Sequence, residues 1–192
     1  MNRLQRKKRM DNPLWSPFRF LGGRDNIPGL LACIPAFDGF LKNELRIVEQ
    51  MLHQRQYKKG ETVFNEGEPG AGMYIVKSGE VEITRKMGNG AELALALVKE
   101  QGFFGELALL DEIPRSASAR AVADTVLFAF SKPSLESLCR RNPRLGIKIL
   151  SNLSRVICKR LVKSNDAMEQ LQDRLGKQDG EDKSQESLTT HV

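Results

Sequence analysis

Nine glycines (Gly60, Gly67, Gly70, Gly72, Gly79, Gly88, Gly90, Gly102 and Gly105) punctuate the middle of the chain, and the runs between them are too short for helices of ordinary length. Runs such as ETVF, MYIVKSGEVEIT and ELALALV have the β-branched, aromatic and alternating content of strands. In the second, Val81 and Ile83 alternate with Glu80, Glu82 and Thr84; in the third, Leu93, Leu95 and Leu97 share one face. Residues 118–124 and 125–130 supply two more runs of this kind. Short strands at such regular spacing, joined by tight turns, predict an antiparallel sandwich or barrel.

Helical periodicity brackets this region. Residues 38–52 place Phe40, Leu41, Leu45, Val48 and Leu52 at three- and four-residue spacing, with Asp38 as the expected cap. Residues 134–142 read as a short helix capped by Ser134 and interrupted at Pro143. A long helix is expected from Arg144 to about Gly176, with Leu150, Leu153, Ile157, Leu161, Ser164, Met168, Leu171 and Leu175 along one stripe. From Ile157 the spacing alternates between four and three, the signature of a heptad seam with one polar member, Ser164. Such a seam is met by a second copy of the chain, through residues 150–175, or by the barrel itself.

The charge is informative once it is located. Residues 1–24 hold seven of the 30 Lys and Arg against Asp11, so the formal +6 of the whole chain belongs to this arm and the remainder is balanced. The arm interleaves Trp15, Phe18 and Phe20 with Pro13, Pro17 and Arg19. Two prolines exclude a continuous helix, leaving a solvated segment or a weak contact with an anionic membrane or nucleic acid. Between Glu136 and Asp166 there are eight basic residues and no acidic one, a surface for an acidic partner or a solvated face. Residues 177–192 are polar and read as a disordered tail.

No run approaches the roughly 18 to 20 apolar residues of a membrane span, and no apolar stretch follows the first positive charges as in a secretory signal, so a cytoplasmic location is expected. Cys33, Cys139 and Cys158 are widely spaced and only His53 and His191 accompany them, which supports neither a disulfide framework nor a metal site.

Residues 103–119, FFGELALLDEIPRSASA, set one carboxylate and one guanidinium nine positions apart in an apolar stretch. Gly105 lets the backbone approach a ligand, and a short helical turn after it aims amides at an anion. Arg115, held by the turn at Pro114, offers a planar fork for two phosphate oxygens. Glu106 is an acceptor for a hydroxyl: in a 3',5'-cyclic nucleotide the ribose 2'-hydroxyl is the only free one. Ser116 adds a donor, and Ala117 is too small to obstruct. Taken alone, Glu106 and Arg115 read more readily as an ion pair between two strands.

FGELALL followed by PRSAS resembles the phosphate-binding cassette of cyclic nucleotide-binding domains. IPAFDGFLKNEL, YKKGETVFNEGEPG, MYIVKSGEVEI and RRNPRLGIKIL are also similar to segments of bacterial members, so that the likeness covers about residues 34–172. The resemblance implies a mainly β, α+β fold: an eight-stranded antiparallel β-roll of jelly-roll type with an N-terminal helix and a long C-terminal helix. It implies that Gly105 and Glu106 bind ribose, that Arg115 binds phosphate, and that Ser116 helps sort cAMP from cGMP. Phe104, Leu107, Ala108 and Ala117 complete the cassette, and Val81 and Leu95 are expected to line the pocket. In dimeric activator-type members a hydroxyl pair on the long helix covers the base, which maps to Ser164 and Asn165.

The expected organisation is a basic arm (1–26), a β-roll domain (27–142), a long dimerisation or signalling helix (143–176) and a tail (177–192). Activator-type members continue into a helix-turn-helix domain, and nothing foldable is seen here after Leu175, so a stand-alone sensor is expected. The ligand is cAMP or cGMP, with no metal, and the output is an effector protein not named by the sequence. The alternative is a non-catalytic scaffold whose arm tethers it to membrane or nucleic acid. Specific DNA reading is not expected, because a basic helix without a recognition element attracts phosphates without reading bases. An enzyme is not expected either, since no Ser or Cys stands beside a His.

Overall fold

A computed structural model of the chain describes residues 26–189, with side chains for residues 26–170 and 172. The basic arm and residues 190–192 lie outside the described residues. The chain divides into two units, residues 1–153 and 154–192.

The first unit opens with α1 (Ile27–Ala32), where Asn26 Oδ1 accepts the Gly29 N–H at 3.0 Å and Pro28 occupies the first turn. A 3-10 turn (Pro35–Phe37) and α2 (Lys42–Glu49) follow. The helix expected from residue 38 therefore begins at Lys42, because Gly39 is left-handed at φ +70° and Asp38 only closes the 3-10 turn. Its first orphan donor, the Leu41 N–H, is met at 2.8 Å by the Glu44 carboxylate, and Leu41 itself stays exposed.

Eight strands come next: β1 (His53–Tyr57), β2 (Thr62–Phe64), β3 (Gly72–Ser78), β4 (Glu80–Lys86), β5 (Glu92–Lys99), β6 (Phe103–Phe104), β7 (Ser118–Ala121) and β8 (Thr125–Ser131). They form two antiparallel four-stranded sheets, ordered β1-β8-β3-β6 and β2-β7-β4-β5. The run MYIVKSGEVEIT is thus two strands in different sheets. The chain changes sheet at Gly79, whose φ of +88° and whose closeness to the Thr125 backbone leave no room for a side chain. A short helix, α3 (Leu107–Leu110), interrupts the strands.

The first sheet is covered on both faces, which explains why β3 and β8 are apolar almost throughout rather than alternating. Met73 pairs with Phe130 and Ile75 with Phe128, and Phe130 meets Phe37 of the 3-10 turn edge-to-face at 6.3 Å. On the opposite face, Val76 and Leu127 join Phe64, Val81, Val98, Phe104 and Ala119 in the buried cluster between the sheets.

The C-terminal helices are α4 (Lys132–Arg141) and α5 (Pro143–Thr189). The cap of α4 is Ser131, whose Oγ accepts the Ser134 N–H at 3.2 Å; the expected cap Ser134 lies inside the first turn, after Pro133. Leu145, Ile149 and Leu153 of α5 are buried, and between them Asn152 Nδ2 donates to the Ala36 and Asp38 carbonyls at 3.2 and 3.0 Å. In the second unit the helix runs past Gly176 to Thr189, through residues expected to be a disordered tail. A polar composition denies this segment a core but not a helix, and no proline follows Leu175 to break one. Along the expected seam, Leu161 and Met168 are 60% and 58% exposed, while Leu171 and Leu175 lie outside the described side chains.

Two predictions test these joints. Replacing Asn152 with Ala strands the buried Ala36 carbonyl and removes a second, part-buried bond to that of Asp38, so the stability measured by urea unfolding is expected to fall by about 1–3 kcal/mol with the m-value unchanged. The Glu44 carboxylate, which also accepts Lys148 Nζ at 2.9 Å, is held below its ordinary pKa first by the Leu41 N–H and then by Lys148. A carboxyl lowered in the folded state stabilises above its unfolded pKa and stops doing so as pH falls through the folded one. Glu44→Gln is therefore expected to be less stable than wild type at pH 7, with the gap narrowing as pH falls below about 4.3; a gap that does not narrow on acidification contradicts this.

Candidate functional site

Strand β6 leads into the site. Phe103 and Phe104 pair with Ile75 and Tyr74 of β3, and both are buried. Phe104 stacks on Tyr74 with centroids 5.5 Å apart, and Phe64 of β2 lies 5.9 Å from each ring. The chain then turns at Gly105, φ +73°, and enters α3 with Glu106 just ahead of it. Leu107 is half-buried, and Ala108 packs where a Cβ on Gly70 would stand.

The return from α3 is fixed by backbone. The Arg115 N–H donates to the Glu68 carbonyl and the Gly67 N–H to the Arg115 carbonyl, both at 2.8 Å, and Pro114 bridges to Pro69. The turn at residues 65–68 is tied in by the Glu66 N–H, which donates to Ser118 Oγ at 2.9 Å. Ser116 is exposed and Ala117 buried.

Glu106 and Arg115 are 4% and 7% exposed. Arg115 Nη1 donates to the Gly105 carbonyl at 3.1 Å, its guanidinium carbon lies 4.1 Å above the Phe64 ring and 5.8 Å from that of Tyr74, and buried Nε has no hydrogen-bond partner among the described residues. Burial pulls the guanidinium below its ordinary pKa, opposed by the weaker pulls of Tyr74, Glu68 and Glu106. The cation remains charged, short of partners and screened from water, which is the condition for strong anion binding.

The structure thus brings Phe104, Gly105, Glu106, Leu107, Ala108, Arg115, Ser116 and Ala117 onto one continuous β6–α3–β7 segment. Val81 is fully buried in the cluster between the sheets, and Leu95 is 43% exposed on β5, where the pairing with β4 skips it between Ala94 and Ala96. Ser164 and Asn165 are exposed residues of the second unit. The sequence reading missed Phe64, Tyr74 and the turn at Gly67 and Glu68, which it took only as strand and loop. Among the described residues no group of three or more His, Cys, Asp or Glu side chains is placed to hold a metal ion, and no helix is long and apolar enough to cross a membrane.

A family model described as cyclic nucleotide-binding domain matches residues 54–142. The cyclic AMP receptor protein of Thermus thermophilus is 37% identical over 121 residues, which cover 63% of this chain and 56% of that protein. A CRP-like cAMP-activated global transcriptional regulator of Mycobacterium tuberculosis is 30% identical over 142 residues, 74% of this chain and 62% of that one. The chain therefore spans less than two thirds of the length of these relatives. The crystal structure of the N-terminal domain of a transcriptional regulator from Streptomyces coelicolor A3(2) superposes with a TM-score of 0.63 at 30% identity, covering 72% of this chain and 93% of that one.

The contact between Gly105 and Arg115 is directly testable. A Cβ at residue 105 would stand 2.5 Å from Arg115 Nη1, on a backbone that side chains avoid. Gly105→Ala is expected to cost about 1–3 kcal/mol, read as a drop of several degrees in the thermal midpoint. A midpoint equal to that of wild type contradicts the description.

Proposed function

Because this chain belongs to the cyclic nucleotide-binding domain family, we propose that its β6–α3–β7 segment receives a cyclic nucleotide, cAMP in the first instance, and that the protein is a regulatory receptor rather than an enzyme. The observation that carries this reading is the buried Arg115 guanidinium, whose Nε has no hydrogen-bond partner among the described residues, one short helix away from the buried carboxylate of Glu106.

In this reading the phosphate meets the free edge of the Arg115 guanidinium, where Nε and Nη2 present parallel donors. The charge of the ligand compensates a cation already stripped of water. Glu106 accepts the ribose 2'-hydroxyl, so the pair recognises a ribose and an anion together. Ser116, exposed beside Arg115, is the residue proposed to discriminate between purines. Ligand binding ties α3 to β7 and favours whichever arrangement of the flanking helices makes the better site. We read the long helix α5 as the reporter: a homodimer through residues 150–175, with Ser164 and Asn165 reaching the base, passing the signal to an effector protein. The exposure of Leu161 and Met168 favours a partner for that stripe. A cytoplasmic location accords with the free thiols Cys33, Cys139 and Cys158.

Titration calorimetry tests the ligand. Wild type is expected to bind cAMP with a dissociation constant in the micromolar range or below, Arg115→Ala to bind at least about 100-fold more weakly, and Glu106→Ala about 10- to 100-fold more weakly. In wild type 2'-deoxy-cAMP is expected to bind more weakly than cAMP, and Glu106→Gln to narrow that difference. Absence of heat from wild type with both cAMP and cGMP contradicts the proposal.

A further inference from the structure

Few hydrogen bonds hold the Arg115 side chain in place. Nη1 has the Gly105 carbonyl, Nε has no hydrogen-bond partner among the described residues, and the backbone pairing to Glu68 and Gly67 anchors only the main chain. A side chain with four rotatable bonds, tied at one nitrogen, would be expected to wander. What it rests on is aromatic: its guanidinium carbon sits 4.1 Å over the centre of the Phe64 ring, within the range of a cation–π contact, with Tyr74 at 5.8 Å.

That ring is itself immobilised. Phe64 is 9% exposed and lies against Tyr74 and Phe104, which are stacked on each other. Pairing of β2 with β7, Phe64 opposite Ala119, brings it beneath the segment that follows Arg115. The aromatic trio therefore draws on β2, β3 and β6, joining both sheets under one guanidinium. A guanidinium held over a ring face is restrained there while its edges, where the N–H groups lie, remain for other partners.

From this arrangement we propose that Phe64 is a positioning residue of the anion site: its ring, braced by Tyr74 and Phe104, is the seat that holds the Arg115 guanidinium in its phosphate-ready plane before any ligand arrives. The proposal deepens the ligand reading above and rests on it. It assigns Phe64 a role that core packing alone does not require, since packing asks for an apolar volume and the seat asks for a π-face. Leucine satisfies the first demand and not the second; tyrosine satisfies both.

The test combines Phe64→Leu and Phe64→Tyr with Arg115→Ala in the full chain, with thermal melts confirming that each variant is folded. Calorimetry with cAMP is expected to show Phe64→Leu weakened about 5- to 30-fold, with Phe64→Tyr recovering most of that loss. In the Arg115→Ala background the same Phe64→Leu change is expected to cost less than about twofold, because the seat has nothing to hold. An equal loss in both backgrounds, or no loss in Phe64→Leu, overturns the proposal. A nucleotide-free readout separates this from failure of the ligand reading: the Arg115 Hε proton is expected to be displaced by the ring current of Phe64 and to move toward the ordinary arginine position in Phe64→Leu. An undisplaced signal overturns the seat. A displaced signal in a protein that binds neither cAMP nor cGMP supports the seat and defeats the ligand reading instead.

Discussion

A guanidinium removed from water loses solvation that one neutral carbonyl does not replace. Arg115 is in that situation: buried, bonded through Nη1 to Gly105, lying over Phe64, and with no hydrogen-bond partner for Nε among the described residues. The arrangement is intelligible if part of the stabilisation is supplied from outside by an anion. Much of the surrounding structure bears on keeping this cation in place. Gly105 must lack a side chain for Nη1 to reach its carbonyl, the turn at residues 65–68 must pair with Arg115 to set its backbone, and the Phe64, Tyr74 and Phe104 rings must assemble beneath it.

These requirements connect the site to the fold. The cluster between the sheets contains Phe64 and Phe104 together with Val76, Val81, Val98, Ala119 and Leu127, so the surface on which Arg115 rests is also the core of the β-roll. Cores of this kind are closely packed and deform in discrete steps rather than continuously. Under the proposed reading, a change in how Arg115 is engaged would reach β6 and α3, and α3 lies against α4. That packing within the first unit is the route the proposed regulation by ligand would use.

Much of this was legible in the sequence, and the exceptions have physical reasons. The strands were visible because glycines and period-two runs mark short antiparallel elements, and Glu106 with Arg115 stood out as charges in an apolar stretch. The start of α2 was misjudged because a left-handed Gly39 breaks the apparent periodicity, and Glu44, not Asp38, satisfies the first free amide. MYIVKSGEVEIT read as one run because Gly79 looks like any other glycine until its neighbours in the other strand are known. Val81, expected in the pocket from strand alignment, has its side chain in the buried cluster that also holds Phe64 and Phe104, and Leu95 sits at an irregularity that alternation does not reveal. Phe64 escaped notice because its role depends on a cross-sheet encounter with a residue far along the chain, and a strand aromatic carries no local sign of one.

The central claim is that Arg115 and Glu106 form the two ends of one nucleotide site. A crystal structure of the chain grown with excess cAMP tests it most directly. The account predicts the cyclic phosphate on the Nε edge of Arg115, with the guanidinium still over the Phe64 ring and the ribose 2'-hydroxyl within hydrogen-bond distance of Glu106. Nucleotide bound elsewhere, with Glu106 and Arg115 paired to each other across a closed site, would contradict it.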